Sequence, residues 1–311
     1  MEKWETDTYG VLAEHQWTIN DKLTNFVGVR VDKDKYTQDF WSPRWAVVYT
    51  PDAKTAYKAI WSKSLRKNFG EELRTQHLGD EISKPEELRS WEFIVERQHN
   101  KQLHYGTSLF YNYLDVLGID SKTLRSQRVA SMQFGGIEFM ADYIADKWQV
   151  HFSHSYTKLD SFSAFGSQKI SVSPSGYGND ISDWPDHITK LNAHWKPGGA
   201  LSYDASLRIF WGFPGQQDFA EKTVDDRLAS EDGNSSSTAL TDPGYDDPFG
   251  ESIYLNLGAT YQLNQQSEIA VRGYNLLGLV DGQYNKRNYL INVGNYREEA
   301  TAVAVEYQYR F

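Results

Sequence analysis

Eight histidines, forty-two carboxylates and thirty-two lysines and arginines supply the reactive groups of this chain, and no cysteine joins them. Spacing limits what they can do. His151 and His154 are three apart in a stretch that alternates like a strand, so they fall on opposite faces and cannot hold one ion. His104 and His151 fall on the polar side of their strands, where a solvated imidazole needs no further role. The densest acid lies between 213 and 250, where Asp218, Glu221, Asp225, Asp226, Glu231, Asp232, Asp242, Asp246 and Asp247 face only Lys222 and Arg227. Clustered oxygens suit calcium or a cationic ligand. No Asp-x-Asp-x-Asp-Gly loop is present, however, and a solvated surface loop explains the same residues. A Ser/His/Asp hydrolase would need its three groups at neighbouring strand ends, and polar residues are too plentiful there to single out a set. No phosphate-binding glycine loop, dinucleotide fingerprint or His-Glu-x-x-His occurs. The expectation is a non-enzyme with no resident metal or cofactor.

The elements that must position these groups are strands. In the last ten residues Val303, Val305, Tyr307, Tyr309 and Phe311 share one face, while Ala302, Ala304, Glu306, Gln308 and Arg310 share the other. An aromatic face suits lipid and its headgroup boundary, and the polar face suits water. That period, clear in some stretches, together with the turn residues between runs predicts strands at 7–18, 22–33, 43–50, 55–64, 88–98, 102–114, 131–145, 147–159, 186–196, 200–212, 251–263, 266–276 and 302–311. Their connections alternate between short turns, such as Pro197-Gly198-Gly199 and Asn264-Gln265, and long loops at 34–42, 65–87, 115–130, 160–185, 213–250 and 277–299. Soluble domains favour brief loops throughout. Transmembrane barrels put short turns at one end and long loops at the other. The expected fold class is therefore all-β, an antiparallel transmembrane β-barrel with thirteen strands in this chain.

Composition agrees. Mean hydropathy is −0.63 although 14% of residues are aromatic, which fits half-exposed strands with girdle aromatics and polar loops. No apolar run is long enough for a membrane helix. A net charge of −10 argues against a nucleic-acid partner. No apolar export segment follows Met1, and single-chain bacterial barrels close on an even strand number. The chain is accordingly expected to be a piece of a longer protein.

Several motifs in order carry a family resemblance. Ser42-Pro43-Arg44 opens a strand, turn and strand followed by Ser64-Leu65-Arg66-Lys67, and Lys84-Pro85-Glu86-Glu87 leads to the next hairpin. The segments 108–114, 136–143 and 274–284, the Pro185-x-His187 pair and the final Phe311 follow. Together these resemble the TonB-dependent outer-membrane receptors, importers of ferric siderophores, haem and cobalamin. Ser64-Leu65-Arg66-Lys67 departs from the family's proline-containing loop motif.

The resemblance implies a bacterial outer-membrane location and a barrel of about twenty-two strands around a plug. Residues 1–311 would be its carboxyl-terminal part, with the plug and first strands absent. It implies active uptake of a ferric siderophore or similar scarce nutrient, with haem or cobalamin uptake, or a passive porin or adhesive barrel, as alternatives. Implied partners are outer-membrane lipid, the barrel-assembly machinery, the ligand, and the TonB complex acting through the plug. Haem receptors of the family carry an iron-binding histidine between the two corresponding loop motifs, and His77 lies between Ser64-Leu65-Arg66-Lys67 and Lys84-Pro85-Glu86-Glu87 here. Ligand contacts are expected from Arg66, Arg74, His77, Tyr177, Trp184, Phe213, Arg227, Tyr245 and Phe249, whose aromatics would stack on a chelate and whose cations would meet an anionic one. Tyr307, Tyr309 and Phe311 would form the assembly signal. Deleting Phe311 from the full-length gene product is expected to lower its outer-membrane level without altering export to the periplasm, as read by fractionation and immunoblotting. Normal insertion of the deletion variant would refute the signal.

Overall fold

Period-two hydrophobicity becomes a single antiparallel sheet. The structure is a computed structural model describing residues 7–35, 37–67, 85–119, 126–164, 185–212, 251–280 and 301–310. Its strands are β1 (Thr8–Asn20), β2 (Leu23–Asp34), β3 (Phe40–Asp52), β4 (Thr55–Arg66), β5 (Glu86–Gln98), β6 (Leu103–Ile119), β7 (Ser126–Ile144), β8 (Trp148–Ala164), β9 (His187–Gly198), β10 (Leu201–Trp211), β11 (Glu251–Gln262), β12 (Ser267–Tyr274) and β13 (Ala302–Tyr309). Strand order in the sheet is chain order. All thirteen expected strands are present, but the expected loop at 115–130 is largely strand, since β6 runs to Ile119 and β7 starts at Ser126. Ser126, Gln127 and Arg128 are polar regardless of face, and Val116 and Leu117 are consecutive apolar residues, so no alternation marked either stretch. The expected loop from 277 opens with one helical turn, α1 (Leu277–Val280). It follows Asn275, which takes a left-handed φ of 46° that Asn tolerates better than bulkier residues.

The chain falls into two compact units. One holds β1 to β5 as far as Arg97, β6 from Gly106, β7 to Ile137 and β8 from Lys158. Within it Trp45 lies opposite Trp61, and Trp61 opposite Trp91, on an exposed apolar face. The opposite face is polar: Lys58 bonds Glu96 at 2.8 Å, and the Ser108 hydroxyl donates to Glu92 at 3.0 Å. Beyond the Trp61–Trp91 pair the apolar face turns charged. Lys63 meets Glu87 at 2.6 Å, Arg89 meets Glu87 at 2.5 Å, and the Arg89 guanidinium lies 5.4 Å over the Tyr113 ring. That change marks where the strand leaves an apolar surrounding for water.

The other unit holds Gln98–Tyr105, Glu138–Thr157 and the strands from β9 onward. Its apolar face carries two aromatic rows. Trp148 stacks on Trp195 at 5.3 Å, and Trp195 on Tyr203 at 5.3 Å. Eight residues along β10 from Tyr203, about 26 Å of strand, Trp211 stacks on His187. Between the rows the face is aliphatic: Ala205 pairs with Leu257, Leu207 with Leu255, and Ile209 with Ile253. Leu257 remains 46% exposed, Val271 46% and Val305 72%. In water such a face would be a large standing cost; an apolar band between aromatic girdles is what lipid requires.

Short turns are fixed by amide side chains. The Asn100 Oδ1 accepts from the amides of Gln102 (2.8 Å) and Leu103 (2.9 Å), while the Gln98 Nε2 donates to the Asn100 carbonyl at 2.5 Å. Asn264 does the same for Gln266 (2.9 Å) and Ser267 (3.0 Å), with Gln262 in the place of Gln98 at 2.7 Å. The turn at Gly198 and Gly199 works differently: both have positive φ, 131° and 75°, which favours glycine. Replacing Asn264 by Ala strands two amides and is expected to cost about 1 kcal/mol in the free energy of unfolding. Leu207→Arg, on the apolar face, is expected to cost about 2–4 kcal/mol in lipid vesicles, against a few tenths for Ser206→Arg on the polar face. Equal costs for the two Arg variants would overturn the facing.

Candidate functional site

On the polar face of the second unit, acids and bases from successive strands meet in pairs. His151 Nδ1 lies 2.6 Å from Asp142, whose other oxygen is 3.7 Å from His104 Nδ1. Further along, His194 Nδ1 lies 2.8 Å from Asp204. Arg272 stands 3.9 Å from Asp204 and 3.4 Å from Glu306. Register explains the second set. Asp204 is opposite both His194 and Gly258, and Gly258 is opposite Arg272, so the guanidinium crosses a position with no side chain. A Cβ on Gly258 would sit 3.5 Å from Asp204 Cβ and 3.7 Å from Arg272 Nη1, ordinary contact distances that would fill the gap.

These groups surround a concavity of about 470 Å³ lined by Asp142, His151, Asn192, His194, Asp204 and Arg272, among others. Each is partly exposed, so the pairs are solvated hydrogen-bonding partners worth little individually. The wall offers imidazole, carboxylate, amide and guanidinium groups in a row, which suits contact with a polar surface or hydrated solute. Among the described residues no group of three or more His, Cys, Asp or Glu is arranged to hold a metal.

The expected ligand residues fare unequally. Arg66 is the last residue of β4, and its Nε and Nη2 both donate to the Glu86 carboxylate at 3.2 Å, so it is held at the strand end in a two-pronged ion pair. Arg74, His77, Tyr177, Trp184, Phe213, Arg227, Tyr245, Phe249 and Phe311 lie outside the described residues. Tyr307 and Tyr309 lie opposite Ile269 and Ser267, 64% and 45% exposed. His151 and His154 do take separate partners, Asp142 and Thr189. What the sequence reading missed is the Asp142–His151 pairing. Counting outward from the turn, where the Ala145 amide donates to the Trp148 carbonyl at 2.8 Å, brings those two opposite each other and could have revealed it.

Residues 1–276 match a family model described as TonB dependent receptor-like, beta-barrel. No curated protein sequence matches. Among solved structures, a ferric enterobactin receptor variant from Pseudomonas aeruginosa aligns with a TM-score of 0.59 at 14% identity, over 88% of this chain and 40% of that one. A ferric-catecholate import receptor from E. coli aligns with a TM-score of 0.60 at 12% identity, over 88% and 40%. The FrpB iron transporter of Neisseria meningitidis gives 0.61 at 12%, over 87% and 41%. The chain thus spans about two fifths of the solved structures it matches. At such identity the structural likeness shows the fold alone, whereas the family model covers most of the residues: the chain belongs to the TonB-dependent receptor β-barrel family, whose members are outer-membrane transport receptors.

Proposed function

We propose that this chain serves TonB-dependent uptake of a ferric siderophore across the outer membrane, as the carboxyl-terminal wall of a barrel of about twenty-two strands. The observation that carries the reading is the family match over residues 1–276. The solved relatives support the ligand class, since they are named as ferric enterobactin, ferric-catecholate and iron receptors.

In this reading the ligand meets the long connections at the loop end of the strands, and energy from the TonB complex arrives through a plug seated against the polar face. The His151–Asp142 and His194–Asp204 pairs then hydrogen-bond that plug or the water around it. Arg66 shapes the loop end. Its guanidinium pairs with Glu86, as Lys67 pairs with Asp34, and Arg74 and Lys84 are the further cations of the 65–87 connection, of which Arg74 meets an anionic ligand.

Charge at an exposed rim acts weakly and is screened by salt. Replacing Arg66 and Arg74 together by Ala removes two cations, one of them the ion-pair partner of Glu86. Affinity for an anionic ferric chelate is expected to fall roughly fivefold at low salt, as one exposed ion pair's worth of attraction is lost, and the loss should shrink as salt rises. Binding assays with a ferric-catecholate probe on the full-length gene product test this. Unchanged binding in the double variant, beside strong loss on removing 215–247, would assign the ligand to the acidic connection and favour a cationic or calcium-assisted one.

A further inference from the structure

His154 and His187 are used by neither the polar wall nor the loops. They lie on the apolar face of the second unit, in the aromatic row at the loop end of β8, β9 and β10. His187 sits opposite Tyr156 on one side and Trp211 on the other, and His154 sits opposite Thr189. The His187 ring stacks on Trp211 at 3.7 Å with an interplanar angle of 6°, and Tyr156 is 4.7 Å from it on the other strand. His154 Nδ1 is 2.8 Å from the Thr189 hydroxyl, which also accepts from the Trp211 indole at 3.4 Å. Both imidazoles are therefore oriented by neighbours other than each other.

The remaining nitrogens face one another. His187 Nδ1 and His154 Nε2 are 3.5 Å apart, at the long limit for a direct N–H···N bond. With His154 donating Nδ1–H to Thr189, its Nε2 presents a lone pair toward His187. Two nitrogens on one tetrahedral zinc, each about 2.0–2.1 Å from the metal, are about 3.4 Å apart. The observed gap has that width, while a square-planar ion would need the nitrogens about 2.9 Å apart. The Thr189 hydroxyl on the far nitrogen supplies the outer partner that metal-binding imidazoles characteristically have.

We propose that His154 Nε2 and His187 Nδ1 together bind a zinc-type divalent cation, completed by water, which ties β8 to β9 at the outer aromatic row. The ligand set is two neutral imidazoles, so the site selects borderline transition ions over the hard, oxygen-seeking Mg²⁺ and Ca²⁺. Trp211 holds one ligand and Thr189 the other. These two are positioning residues.

The test is calorimetric titration of the chelator-treated full-length gene product in detergent micelles with Zn²⁺, excess Mg²⁺ present. A saturable site is expected whose affinity falls by roughly tenfold or more in His154→Ala and in His187→Phe. The phenyl ring of His187→Phe keeps the stack on Trp211, so an unchanged β circular-dichroism signal in that variant separates ligand loss from unfolding. Thr189→Val should weaken the site less than either ligand variant, and His151→Ala, on the opposite face, should leave it as it was. Absence of saturable zinc binding, or binding that survives both His154→Ala and His187→Phe, would overturn the site. Neither result bears on siderophore uptake, which is read by a separate assay.

Discussion

Backbone amides and carbonyls have nowhere to go in hydrocarbon except to one another, and the architecture follows from that. An unpaired peptide group there costs several kcal/mol, so each strand must lie against another along its whole length. Here every neighbour in the sheet is the neighbour in sequence. The registers β10 to β11 and β4 to β5 run through eleven and twelve residue pairs without an irregularity. Once that ladder is satisfied, side chains are free to answer to their surroundings, and alternation sends them to two different ones.

The two faces explain why a chain with negative mean hydropathy can still be a membrane protein. Half of each strand is aliphatic or aromatic and stays exposed, as at Leu257 and Val271, and the other half is Asp, His, Ser, Asn and Arg. Averaged along the chain these cancel. The polar face is thus chemically rich, and its acids are partnered by bases on nearby strands, as Asp204 is by His194 on the neighbouring strand and, across Gly258, by Arg272 on the next but one.

Much of this was legible from residue order, because a one-residue slip would turn every apolar side chain to the wrong face. The run from Val303 to Tyr309 and the aliphatic face of β10 show it plainly, and with the turn residues between runs that signal located all thirteen strands. What escaped detection lacked the signal. β7 begins in the polar residues Ser126, Gln127 and Arg128, β6 runs on through Asp115 into the consecutive apolar Val116 and Leu117, where alternation breaks, and the turn α1 depends on Asn275 adopting a left-handed backbone. Of the site, the sequence marked the polar face but not its pairings. His104 and His151 were expected to be merely solvated, yet both stand beside Asp142, a cross-strand fact that needs register as well as periodicity. The loop residues expected to meet ligand sit where no period constrains the chain.

The matching amide-clamped turns at Asn100 and Asn264 also bear on the time course of folding. Closing a chain segment costs entropy that grows with the logarithm of its length. The connection 212–250 is about ten times longer than the four residues 263–266, a difference of about 2 kcal/mol in closure. Pairs such as β5 with β6, or β11 with β12, therefore have a head start over β10 with β11, which must wait for a distant partner. The chain would assemble as a series of preformed hairpins that zip together edge to edge, leaving β13 to join last as a single strand. On that view two asparagines at the short turns set the order of events, and a variant weakened there would be delayed in folding more than impaired once folded.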